Sequence, residues 1–95
     1  MISRSRFETP NAARYLDKLC THFGSKVKVQ IDGDAGWVQF PFGCCEITAN
    51  ADHLEFCASA SDAKDLATVA QVVTSHLERY AFRENPSLNW QTTPD

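Results

Sequence analysis

His76, Arg79 and Arg83 stand at spacings of three and four in the block His76-Leu77-Glu78-Arg79-Tyr80-Ala81-Phe82-Arg83-Glu84. On an α-helix that spacing sets all three along one flank. Two guanidiniums one turn apart can hold a carboxylate or phosphate, and a neighbouring imidazole titrates near neutrality. Tyr80 adds a phenol beside the row. His76, Arg79, Tyr80 and Arg83 are therefore the candidate ligand-binding residues, suited to a small anionic ligand or a protein partner. In a catalytic version of the same site His76 would be the general base and an arginine the oxyanion or carboxylate clamp. The plainer account is a solvated helix flank whose arginines complement the helix C-terminus and whose stems cover apolar surface.

Cys20, His22, Cys45 and His76 form a second set, whose composition suits zinc or iron. The spacing is poor for either metal. Cys20 and His22 lie two apart on a helix, so their side chains diverge by about 200°, and no CxxC or HxxxH pair anchors a site. The competing account makes Cys20 and Cys45 small buried core residues, inert because apolar burial raises a thiol pKa, and His22 a cation near a helix C-terminus. No Ser/His/Asp arrangement, phosphate loop or dinucleotide fingerprint is present. Asp32-Gly33-Asp34 lacks the remaining ligands of a calcium loop.

These residues sit in a chain of 95, enough for one domain and one core. The apolar fraction is 43%, ordinary for a globular protein, and the net charge of −3 gives no general attraction to nucleic acid or an anionic membrane. The basic N-terminus, Met1 to Phe7, is not followed by an apolar segment, so no secretory signal is read and the cytoplasm is the expected location. Four free thiols (Cys20, Cys44, Cys45, Cys57) are expected there.

The elements that must position the candidates follow from periodicity. Thr9-Pro10 starts a helix with Ala12, Leu16, Leu19, Cys20 and Phe23 on one face, and Gly24 stops it. From Lys26 the period changes to two, with Val27, Val29 and Ile31 inward. Asp32 to Gly36 reads as a loop, and Val38 and Phe40 continue the inward face. After a turn at Pro41-Phe42-Gly43-Cys44, Cys45, Ile47 and Ala49 face inward, then Leu54, Phe56, Ala58 and Ala60. A two-residue loop at Ala51-Asp52 pairs Ile47 with Phe56 and Glu46 with Cys57. Ser61 caps a second helix whose apolar stripe is Leu66, Val69, Ala70, Val73, Leu77 and Tyr80, ending before Pro86.

The expected fold is α+β: a two-layer sandwich in which an antiparallel four-stranded meander is covered on one face by two helices, in the order (β)-α-β-β-β-β-α-(β). Residues 1–95 form a single domain, with 1–8 and 86–95 as edge strands or loosely packed ends. Lys26, Lys28, Trp37, Gln39, Glu46, His53, Glu55 and Cys57 lie on the uncovered face, where an outward Trp37 suggests partner contact. A homodimer formed through that face or an edge strand is compatible with the pattern.

Arg14-Tyr15-Leu16, Leu19-Cys20-Thr21-His22-Phe23 with Lys26, Phe42-Gly43 with Cys45, and the block from His76 to Glu84 together resemble the small bacterial proteins grouped as domain of unknown function 2218. The resemblance covers nearly the whole chain, and the final block is its most specific part. Members often carry a second histidine three residues after the first; here that place is Ser25, which weakens the metal reading. The resemblance implies a stand-alone cytoplasmic bacterial domain and brings no activity with it. The leading expectation is a binding or interaction module that needs no cofactor. A zinc or iron protein using the Cys/His set, and a small enzyme with a His/Arg anion site, are the alternatives.

Overall fold

The computed structural model describes residues 1–93. Six strands make one antiparallel sheet: β1 (Ile2–Glu8), β2 (Lys28–Asp32), β3 (Ala35–Phe40), β4 (Gly43–Ala49), β5 (His53–Ser59) and β6 (Gln91–Thr93). Two helices, α1 (Ala12–Gly24) and α2 (Ala63–Tyr80), complete the order β-α-β-β-β-β-α-β. The sheet runs β2-β3-β4-β5-β1-β6. This is the expected two-layer α+β arrangement, with both terminal segments joining the sheet. Ile2–Glu8 is an interior strand rather than an edge, because β5 flanks it on one side and β6 on the other. Leu88 and Trp90 pack against the core just before β6 begins, and the last two residues of the 86–95 segment lie outside the described residues.

Alternation decides the layers. Val38, Phe40, Cys45, Ile47, Leu54, Phe56 and Ala58 are buried on the side facing Leu16, Leu19, Phe23, Val69, Val73 and Leu77 of the helices. The expected register holds: Ile47 opposes Phe56 and Glu46 opposes Cys57 across the Ala51-Asp52 turn. α1 lies over β2 to β5, and α2 over β4, β5 and β1.

Several boundaries differ from expectation. The segment Asp32–Gly36 is a tight hairpin with only Gly33 and Asp34 as its loop; Gly33 has φ +61, as the first position of a type II′ turn requires. Gly36 belongs to β3 and serves close approach rather than a turn, since a Cβ there would lie 2.5 Å from Cys20 Sγ and 3.2 Å from Leu16 Cδ1. α1 begins at Ala12, after a turn in which Thr9 Oγ1 accepts from the Asn11 N–H. It ends at Gly24 without a left-handed residue. α2 is capped by Asp62, whose side chain accepts from the Asp65 N–H at 2.8 Å, one residue later than Ser61.

The helices run antiparallel: His22 near the end of α1 meets His76, while Tyr15 near its start meets Glu84 beyond the end of α2. Glu84 sits on a short 3-10 turn (Phe82–Glu84) and ties this end together. Its carboxylate accepts from Thr9 Oγ1 at 2.6 Å, Asn11 Nδ2 at 3.1 Å and the Tyr15 hydroxyl. The Thr9 hydroxyl first, then Tyr15 and Asn11, hold the Glu84 carboxyl below its ordinary value. Burial, then Glu84 itself, raise Tyr15, so the phenol keeps the proton it donates.

Two predictions follow from this packing. Gly36→Ala should cost about 1–3 kcal/mol by overpacking against Cys20; in a Cys20→Ala background the added methyl should cost clearly less, and equal losses in both backgrounds would refute the contact. A carboxyl lowered by folding contributes stability that is complete above its ordinary value of about 4.3 and is lost as pH falls through the lower folded value. Glu84→Gln should therefore lower the melting temperature at neutral pH, with a deficit that narrows on acidification; a pH-independent deficit would contradict the assignment.

Candidate functional site

On the uncovered face, period two directs Arg4, Arg6 and Glu8 of β1 outward, together with Glu46 and Thr48 of β4 and His53, Glu55 and Cys57 of β5. Strand pairing arranges them in rows. Gln91, Arg4, Cys57, Glu46, Trp37 and Gln30 follow one another across the sheet, and Arg6, Glu55 and Thr48 form the next row. Over these rows lies a groove of about 470 Å³, bounded by Arg4, Arg6, Glu46, Glu55, Cys57 and Thr48 and closed toward the sheet edge by Asn89 and Gln91. Asn89 is held there because its carbonyl accepts from Ser5 Oγ at 3.0 Å.

The charges around this groove are of two kinds. Arg6 donates to Glu8 at 2.6 Å, and His53 lies 2.7 Å from Asp52 and 3.2 Å from Glu55. Arg4 and Glu46 form no hydrogen bond or ion pair among the described residues. They stand two strands apart, about 10 Å between backbones, with Cys57 between them. The groove thus presents a free guanidinium and a free carboxylate on opposite sides of a thiol.

The residues singled out in the sequence lie elsewhere. His22 and His76 do meet, with ring centroids 4.6 Å apart, and Tyr80 edges onto His22 at 6.1 Å. His76 Nδ1–H donates to the Val72 carbonyl at 2.7 Å. Arg79 is exposed near this pair. Arg83 does not continue the row, because α2 stops at Tyr80; it lies over the exposed Phe82 ring at 5.7 Å. Cys20 and Cys45 are buried in the core, Cys20 against Gly36 and Cys45 under the sheet, where burial pushes the Cys45 thiol far up. Cys20, His22, Cys45 and His76 are not brought to one point; among the described residues the metal-competent grouping is Glu8, Asp52 and His53, with ligand atoms within 4.8 Å. That trio is engaged in ion pairs, and a cation would have to displace Arg6 from Glu8 and the proton from His53.

Arg4 and Arg6 are the site residues that sequence reading missed. Their alternation with Ser3, Ser5 and Phe7 was visible, but the inward serines are not apolar, so β1 did not read as a central strand.

Fold and groove together define a class: a two-layer α+β domain, helices on one side of the sheet and a polar groove on the other. The family model described as "Uncharacterized protein conserved in bacteria (DUF2218)" matches residues 4–91, and the chain belongs to that family. Among solved structures it is similar to PA4090 from Pseudomonas aeruginosa, determined by NMR, at 34% identity and a TM-score of 0.84 over 99% of this chain and 98% of that one. Among curated proteins there is no match. No described helix is long and apolar enough to cross a membrane.

His53 and His22 should titrate on opposite sides of the ordinary value of about 6.5. Asp52, then Glu55, raise His53, whose contribution to stability is present below the ordinary value and lost as pH rises through the raised one. Burial first, then His76, Lys26 and Arg79, lower His22, so its neutral form is favoured and its contribution declines as pH falls. A proton NMR titration should give the order His53 above His22; coincident midpoints would contradict both environments.

Proposed function

We propose that this protein is a small binding module whose ligand occupies the groove on the uncovered sheet face. The observation that carries the reading is the pair Arg4 and Glu46, opposite charges left without partners across a groove of about 470 Å³ while neighbouring charges are paired. Free charges of opposite sign at this separation fit a small ligand with an anionic and a cationic end, the anion toward Arg4 and the cation toward Glu46. The helix side of the sheet is committed to the core, so binding leaves the packing intact. We take the protein to work in the reducing cytoplasm; four free cysteines, with Cys44 and Cys57 on the open face, support that setting.

The test is an amide NMR titration with 5-aminopentanoate and glycylglycine, against butyrate and butylamine as single-charge controls. The zwitterions should shift Arg4, Glu46 and Cys57 selectively, and Arg4→Ala or Glu46→Ala should each weaken binding by about tenfold or more, the loss of one charge-assisted contact. Equal binding of butyrate and the zwitterions, or shifts confined to the His22–His76 junction, would overturn the reading.

A further inference from the structure

β2 is a free sheet edge of five residues, Lys28-Val29-Gln30-Ile31-Asp32, with no proline to block pairing. Ile31 is 52% exposed. The Ala49 N–H donates to the Asp34 carbonyl at 2.8 Å. Even-numbered residues of β3 therefore turn their backbone groups toward β4, and Ala35, Trp37 and Gln39 turn theirs toward β2. Their partners Asp32, Gln30 and Lys28 are satisfied inward. The N–H and C=O groups of Val29 and Ile31 point out from the edge.

We propose that this edge pairs with β2 of a second copy, antiparallel about a two-fold axis at Gln30. In that register Val29 opposes Ile31 of the partner subunit and Ile31 opposes the partner's Val29, each pair exchanging two backbone hydrogen bonds through the outward groups. Lys28 opposes Asp32 of the partner subunit, and Asp32 opposes the partner's Lys28. These are closely spaced, non-hydrogen-bonded positions flanking the hydrogen-bonded pairs, where opposite charges attract most. The strand is antisymmetric in charge and symmetric in apolarity about Gln30. A two-residue shift in either direction loses both charge pairs, and a one-residue shift sets apolar side chains against polar ones. The axis stands perpendicular to the sheet, so both copies keep their helices on the same side and Ile31 is covered by the partner's Val29. The groove between β1 and β4 stays open.

Sedimentation of the whole chain over a concentration series should show a reversible dimer. Asp32→Lys sets like charges opposite each other and should give a folded monomer. The double variant Lys28→Asp/Asp32→Lys should dimerise again, and an equimolar mixture of Lys28→Asp and Asp32→Lys should form the mixed dimer. In the wild type, amide exchange at Val29 and Ile31 should slow with rising concentration, a readout that does not depend on any variant folding. A wild type that stays monomeric, a dimer untouched by Asp32→Lys, or failure of the double variant to restore association would each overturn the proposal.

Discussion

The constraint on which this structure rests is a sheet with one apolar face and only two helices to cover it. Five inter-strand steps make the sheet about 24 Å across, while two packed helices, each about 10 Å wide, roof about 20 Å. The shortfall appears at both margins. Over β1 the inward positions are small and polar, Ser3 and Ser5, and the tail takes the place of a third helix. Trp90 packs against Phe56 at 6.0 Å and donates from Nε1 to Thr74 at 2.8 Å, while Ser5 donates to the Asn89 carbonyl. At β2 the cover from α1 reaches Val29 but not Ile31, which stays exposed.

Close helix approach is the second consequence. α1 can lie flat on the sheet because Gly36 leaves room for Cys20 and Leu16. At the other end of that helix, Glu84 gathers Thr9, Asn11 and Tyr15. A carboxylate bound by three donors is held in one place, so the chain leaving α2 must bring it there. The helix accordingly gives way at Ala81 to a 3-10 turn, and Asn85 takes a left-handed conformation at φ 50. Arg83 is carried away from Arg79 by the same turn.

Much of the fold was legible because period-two alternation and a two-residue turn determine register locally, as at Ile47–Phe56. What was not legible depended on distant partners. The place of β1 beside β5 pairs Ile2 with Ser59, and no local pattern announces it. The groove inherits that difficulty, since Arg4 meets Cys57 and Glu46 only once β1 is inserted. In the helical row, the contact of His76 with His22 appears only once the two helices are packed, and Arg83 falls off the row because the helix ends at Tyr80. Helix phase commits Cys20, and strand parity Cys45, to the core.

Parity also separates what folding needs from what it leaves over. Cys45 and Cys57 sit on adjacent strands of one hairpin, yet one is buried and the other lines the groove. On the open face, Arg6 with Glu8 and His53 with Asp52 and Glu55 neutralise each other, as charges on a solvated sheet usually do. Arg4 and Glu46, in the neighbouring row, do not. Arg4 is exposed and Glu46 half-buried, and neither forms an ion pair among the described residues. They flank the groove of about 470 Å³ on the side that the helices leave bare. A pair of opposite charges left unpaired across the groove is the feature that sets this face apart from an ordinary solvated surface.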